Sequence, residues 1–375
     1  VIDVCHLITG LGPGGAESML NKLAGTQTSA VRHTVVSMIP EGFFAPLLRE
    51  RGVRVYDLGM ARGLPNPLAL FRLVSLLRDI RPDVLQTWLY HADLLGLIAG
   101  KLAGVSAISW NIRCSNMDMR HYGRLSRVMP HLLARLSSGP DVCVVNSRAG
   151  KCAHENLGYR PKRWEVIPNG FDLAQFRPDA ARRKTLRRQL GANDNTFLVG
   201  MVARVDPMKD HAGMLAALSR LNAEGRDLIG VFVGRGCEED GPLVSQIQEW
   251  NLENHVRMLG ERKDISGILS ALDVFALASH SEGFPNVVGE AMACGTPVVV
   301  SDVGDCRDIV GRFGCVVPPG DVHALTRALA DTYALGHDGR TRLSAERRSH
   351  IEERYGLPII VERYEALYRD LMEKH

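Results

Sequence analysis

Two carboxylates and two cations stand out by type and spacing. Glu282 and Glu290 lie in the stretch His280-Ser281-Glu282-Gly283-Phe284-Pro285-Asn286-Val287-Val288-Gly289-Glu290, and Arg204 and Lys209 flank Val205-Asp206-Pro207-Met208. Carboxylates in one short segment can act as an acid/base pair or accept hydrogen bonds from sugar hydroxyls. Two cations five residues apart across a proline turn can converge on one diphosphate, Arg by its fork and Lys as a point charge. A helix is expected to open at about Pro285, a suitable first helical residue. The N–H groups of Gly283 to Val287 would then stand at its positive end, where an anion fits. Each group also has a plain reading: a dipole partner for Glu282, a surface helix charge for Glu290, a solvated turn for Arg204 and Lys209.

A second candidate lies near the start. The apolar run Ile2–Ile8 leads into Gly10-Leu11-Gly12-Pro13-Gly14-Gly15-Ala16-Glu17, and a helical pattern follows. Gly10, Gly12 and Gly15 satisfy G-x-G-x-x-G, but the next strand ends Val35-Val36-Ser37-Met38 without the carboxylate that a nicotinamide cofactor's ribose needs. Phosphate approach by Gly14 and Gly15 is the expectation, with a plain strand–helix corner as the alternative. Further along, Trp88, His91 and Asp93 end the fourth apolar run, and Asn111, Arg113 and Ser115 follow the fifth. Trp88 can stack on a sugar ring or fill a core. His91 can serve the site or pack beside Trp88.

The elements that must position these groups alternate. Strands are expected at Ile2–Ile8, His33–Met38, Arg54–Asp57, Val84–Thr87, Ala107–Trp110 and Val142–Asn146, with helical patterns between them. The pattern breaks at Ile167-Pro168-Asn169-Gly170-Phe171-Asp172, strong turn chemistry. A second series runs through Phe197–Ala203, Gly230–Val233, His255–Met258, Val274–Leu277 and Pro297–Val300, and an amphipathic helix over Pro358–Met372 ends the chain. Such alternation predicts an α/β protein with two doubly wound parallel sheets. Open sheets of this kind bind ligands at the C-terminal ends of their strands.

Bulk properties agree. The 375 residues are 45% hydrophobic and 23% charged, ordinary for a globular chain and long enough for two cores. None of the eight Cys forms a C-x-x-C pair, and no apolar run approaches a membrane span. The chain opens on a strand rather than a basic leader, so a cytoplasmic protein is expected. Residues 1–170 carry 20 basic and 12 acidic side chains, the remainder 25 and 30. A basic first half and an acidic second half suggest an anionic partner for the first. The stretch with Arg120, Arg124, Arg127 and Arg135 among Leu125, Val128, Met129, Leu132 and Leu133 suits an anionic lipid surface or a solvated helix. No nucleic-acid-binding module accompanies the charge.

The two motif sets together resemble glycosyltransferase family 4. Glu282 and Glu290 have its E-x7-E spacing, and Glu290-Ala291-Met292-Ala293-Cys294-Gly295-Thr296-Pro297 is similar to its sequence. Arg204 and Lys209 match its Arg-x4-Lys pair. Gly14-Gly15-Ala16-Glu17 and the Ile167–Asp172 segment look like its glycine loop and interdomain segment. The resemblance implies a GT-B architecture: an acceptor-side domain over 1–169, completed by a final helix (about 357–375) crossing back, and a nucleotide-sugar domain over 170–356. It implies retaining, metal-independent sugar transfer in which Arg204 and Lys209 hold the diphosphate, Glu282 meets the donor sugar and Glu290 the ribose. Gly283, Phe284, Pro285, Asn286 and Val287 would assist through the backbone, with the base near Arg262. A UDP-linked hexose or N-acetylhexosamine and a lipid-linked glycan acceptor at the inner membrane face are expected, with no cofactor. Trp88, Asn111 and Arg113 would meet the acceptor. Trp88 stands where many members carry a His, and His91 is the nearest replacement. A soluble acceptor, or a non-catalytic nucleotide-sugar-binding subunit, is the alternative.

Overall fold

The computed structural model describes residues 1–40, 42–61, 67–113 and 124–374, with side chains from 128 onward in the last of these. The chain divides into two compact units, Val1–Gly170 with Leu357–His375, and Phe171–Gly356.

In the first unit, β1 (Ile2–Ile8), β2 (Val31–Ser37), β3 (Arg54–Asp57), β4 (Val84–Trp88), β5 (Ala107–Ile112), β6 (Val142–Val145) and β7 (Trp164–Val166) form one parallel sheet. Their order is β3-β2-β1-β4-β5-β6-β7. The strands read as apolar runs because helices cover both faces. In β1, Val4 and Ile8 pack toward the helices Gly15–Gly25 and Leu357–Glu373, while Cys5 and Leu7 pack toward Pro67–Ile80 and Tyr90–Ala103. The final helix buries Ile360, Val361, Tyr364, Leu367, Tyr368 and Leu371.

The second unit has β8 (Phe197–Val202), β9 (Leu228–Val233), β10 (Val256–Met258), β11 (Val274–Leu277), β12 (Val298–Ser301) and β13 (Cys315–Val317), in order β10-β9-β8-β11-β12-β13, again parallel. At the N-terminal ends of β8 and β11, Asp273 pairs with Arg183 at 2.7 Å and Arg187 at 2.8 Å. Its Oδ2 also accepts the Leu198 N–H. That buried knot holds the two central strands in register. The unit closes on itself where the Phe171 N–H donates to the Tyr355 carbonyl.

In each sheet the winding reverses between the first strand and the fourth, β1 and β4 in one, β8 and β11 in the other. Connections leave such a pair in opposite directions, which opens a crevice at the strand ends. The short edge strands β7 and β13 were not expected from the sequence.

Candidate active site

Arg204 to Asp210 follow β8, and Ser279 to Pro285 follow β11, so both loops leave the reversal point of the second sheet. Pro207 to Lys209 form one 3-10 turn, capped by Asp206 Oδ1 accepting the Met208 N–H. Asp210 adopts φ +52° and caps the next helix through the Gly213 N–H. This sharp corner brings Lys209 against the other loop. Its Nζ donates to Glu282 Oε1 at 2.6 Å, and Ser279 Oγ donates to the same oxygen at 2.6 Å. The Lys209 and Glu282 side chains are 21% and 9% exposed. The His280 N–H donates to the Met208 carbonyl, fastening loop to loop.

Arg204 is more open. Its side chain is 65% exposed and rests on Asp206 through Nε at 3.2 Å and Nη2 at 3.0 Å. The Asp206 carboxyl is held low, first by the Met208 N–H and then by Arg204. Glu282 and Gly283 are braced by Gly304, at φ +56°, where a Cβ would lie 2.5 Å from the Gly283 carbonyl. The Asp305 N–H donates to that carbonyl at 2.9 Å. Sequence reasoning missed Ser279, Gly304 and Asp305; only the serine, at the head of the same loop, left a local signal.

The helix after the loop runs Asn286–Ala293, so Pro285 is its N-cap and not its first residue. Proline carries no N–H, so the donors of this stretch come from its neighbours. No side-chain cap bond covers the helix start. Phe284 is buried, stacked on Phe171 at 6.1 Å and edge-on to Tyr355 at 5.7 Å, so it can offer only its backbone. Val287 packs partly against the same core, Asn286 and Glu290 are half-buried, and Gly289 lies against the Phe171 ring. Arg262 is paired with Asp264 through two 2.8 Å bonds.

In the first unit, Gly14 and Gly15 are exposed at the start of the helix Gly15–Gly25. A Cβ at Gly14 would lie 2.3 Å from the Glu17 carboxylate, which folds back over the helix start. Leu89, after β4, adopts φ +73° and ψ 154°, a conformation rarely held by residues other than glycine. It turns the chain so that His91 is exposed on the first turn of Tyr90–Ala103, while the buried Tyr90 hydroxyl bonds His154 Nε2 at 2.7 Å.

Two acceptor expectations need correction. Trp88 has no exposed surface: its Nε1–H donates to His6 Nδ1 at 3.1 Å, and its ring stacks with Tyr364. His6 therefore carries its proton on Nε2 and donates to His33 Nδ1 at 2.9 Å. Asn111 is likewise fully buried and donates to the Tyr364 hydroxyl at 3.0 Å. Both are packing residues beneath the final helix, not sugar contacts. Arg113 is half-buried, on Asn169 and Tyr364. Ser115 and Arg120 lie outside the described residues, as do the side chains of Arg124 and Arg127. On the helix Arg124–Leu136, Val128, Leu132 and Arg135 are exposed and Leu133 is buried.

Comparison with known proteins is decisive. The model of "Glycosyltransferase Family 4" matches residues 13–175, and that of "Glycosyl transferases group 1" matches 182–350. A Campylobacter jejuni N-acetylgalactosamine-N,N'-diacetylbacillosaminyl-diphospho-undecaprenol 4-alpha-N-acetylgalactosaminyltransferase is 30% identical over 272 residues, 71% of each chain. The chain belongs to glycosyltransferase family 4. An Escherichia coli UDP-Gal:alpha-D-GlcNAc-diphosphoundecaprenol alpha-1,3-galactosyltransferase is 29% identical over 270 residues, 70% of this chain and 69% of that one. HepE of Anabaena, solved in complex with UDP, superposes with a TM-score of 0.82 at 25% identity, over 98% of this chain and 100% of that one. The fold of this family 4 member is GT-B, and the protein is a nucleotide-sugar glycosyltransferase. Among the described residues no helix is long and apolar enough to cross a membrane.

Proposed function

We propose that the enzyme transfers a hexose or N-acetylhexosamine from a UDP-sugar, with retention and without a metal, to a lipid-linked glycan during surface polysaccharide synthesis. The observation that carries this reading is the Lys209–Glu282–Ser279 cluster with Arg204 beside it at the strand reversal. Lys209 and Arg204 neutralise the donor diphosphate, and the N–H groups from Gly283 to Val287 assist through the backbone. Glu282 accepts from donor-sugar hydroxyls and Glu290 from the ribose. The bond from the anomeric carbon to the diphosphate oxygen breaks, and the acceptor oxygen bonds that carbon on the same face. The departing diphosphate takes the acceptor's proton. Preorganised cations that meet charge as it develops on the leaving group suit this chemistry. Gly14 and Gly15 approach the donor phosphate, Arg262 lies near the base, and His91 stands at the acceptor.

HepE was solved with UDP, and the Escherichia coli relative is named for UDP-galactose and diphosphoundecaprenol; both support the donor and acceptor class. Exposed Val128 and Leu132 beside Arg135, with exposed Leu68, Phe71 and Leu102 on neighbouring helices, support peripheral contact with an anionic membrane. The test is a thermal-shift screen of UDP-, GDP-, ADP- and TDP-sugars. A ligand at about 100 times its Kd stabilises the fold by about 2.7 kcal/mol. Transfer from the selected donor to a lipid-linked acceptor by the purified chain is expected. A shift with no nucleotide sugar would reject the reading; turnover only on a free sugar, without liposome binding, would replace the lipid-linked acceptor by a soluble one.

A further inference from the structure

Arg113 follows β5 at the C-terminal edge of the first sheet. Its Nη1 donates to Asn169 Oδ1 at 2.7 Å and its Nη2 to the Tyr364 hydroxyl at 2.8 Å, and its Cζ lies 4.6 Å from the centre of the Trp88 ring. Both hydrogen-bond partners are neutral, and its buried Nε has none. Among the described residues no carboxylate pairs with it. Other buried arginines are answered differently: Arg187 and Arg340 reach Asp273, and Arg347 is surrounded by the carbonyls of Phe313, Gly295 and Arg340. Burying a cation without an anion is costly, and burial lowers the Arg113 pKa. The cost falls at the ligand-binding edge of a parallel sheet, one strand from its reversal point.

A guanidinium has five N–H donors in a planar fork suited to phosphate oxygens. Two are spent on the residues that hold it, so charge and donors remain for a ligand. We propose that Arg113 binds a phosphate or diphosphate ester carried by the acceptor, with Tyr364 and Asn169 as positioning residues that hold the fork. This rests on the glycosyl-transfer reading above. A lipid diphosphate and a free sugar phosphate share the chemistry, and the experiment separates them.

The full-length chain is first saturated with UDP or GDP, whichever binds, to occupy the second unit's cations. Farnesyl diphosphate and glucose 1-phosphate are then titrated by calorimetry, with methyl glucoside as the uncharged control. At least one phosphate ester should bind where the control does not. Arg113→Gln should weaken it tenfold or more, Arg113→Lys less, and nucleotide affinity should stay within twofold. Binding of farnesyl diphosphate alone would assign the site to a lipid source, and binding of both to the phosphate itself; either supports the proposal. Asn169→Asp supplies the missing anion from within, so it should raise the melting temperature and abolish phosphate binding. That combined result does not depend on Arg113→Gln folding. Phosphate binding undiminished in Arg113→Gln or Asn169→Asp, or no phosphate binding to the nucleotide-loaded protein, would overturn the assignment. Failure of every nucleotide to bind would instead count against the donor reading, while Arg113-dependent phosphate binding stays measurable in the same cell.

Discussion

Glu282→Gln separates two roles that proximity to Lys209 confuses. The Lys209 Nζ to Glu282 Oε1 bond is 2.6 Å and the carboxylate is 9% exposed, so this is not a solvated surface pair. In the proposed donor site a nucleoside diphosphate would draw the same ammonium toward its phosphates. The native enzyme gives up part of a charge-assisted bond, ~1.5–3 kcal/mol, to do so. The glutamine amide offers a neutral bond of about 1 kcal/mol in its place. The difference, about 0.5–2 kcal/mol, should tighten UDP binding roughly 2- to 30-fold. Transfer should move the other way. In the proposed role the carboxylate accepts from donor-sugar hydroxyls as charge develops on the sugar, and its loss should lower kcat by about 10²–10³, as for other groups aimed at developing charge. Calorimetry with UDP and initial rates with the UDP-sugar measure the two effects. Tenfold weaker UDP binding would show that Glu282 serves only to aim Lys209 at phosphate. An unchanged kcat would remove it from the reaction.

The remaining expectations are shorter. Arg204→Ala should weaken UDP binding about 10- to 150-fold, the loss of a 1.5–3 kcal/mol phosphate contact, yet leave the urea midpoint unmoved because its side chain is 65% exposed. Gly289→Ala places a Cβ 2.2 Å from the Phe171 ring, so denaturation should show a loss of about 1–3 kcal/mol from overpacking. Burial holds His33 at about 4 and His6 well below its ordinary value, whereas an unfolded His titrates near ~6.5. The unfolded chain therefore binds more protons as pH falls through that window, and stability, full above it, should drop by about 3 kcal/mol for His33 alone. Asp93, pushed up to about 7 by burial, has the opposite sign. Its contribution, full below ~4, is lost as pH rises from there to about 7, and Asp93→Asn should remove that loss from the urea midpoint.

The candidate loop after β11 stood out in the sequence because the chemistry proposed for it demands residue types at fixed spacing within one contiguous segment. Glu282, Glu290, Arg204 and Lys209 could be singled out without coordinates; that Glu282 holds Lys209 could not, since the corner at Asp210 that joins the loops is a backbone event. Most strands were legible as apolar runs; β7 and β13 were not. The acceptor side was misread for a different reason. Trp88 and Asn111 sit at or next to the C-terminal ends of β4 and β5, where polar and aromatic residues usually mean a ligand. What buries them is the final helix: Tyr368 donates to Gln86 at 3.0 Å, and Tyr364 receives Asn111 and Arg113. No local pattern around Trp88 announces a partner that far along the chain.

That separation has a mechanical consequence. All seven strands of the first unit precede the second unit in the chain, yet their core is closed by a helix that follows it. The six side chains this helix buries are worth about 1.5–3 kcal/mol each, an upper estimate. Together they rival the 5–15 kcal/mol that typically separates a folded domain from its unfolded state. The first sheet therefore cannot hold its native core until the last helix docks. Apolar contacts alone would tolerate a slip of that helix along the sheet. The hydroxyls of Tyr364 and Tyr368, one turn apart, do not, because a slip would take a hydrogen-bond partner from each of Gln86, Asn111 and Arg113 in a buried layer. The two tyrosines thus fix the helix register and, through it, the position of the Arg113 guanidinium, which the described residues leave without an anion.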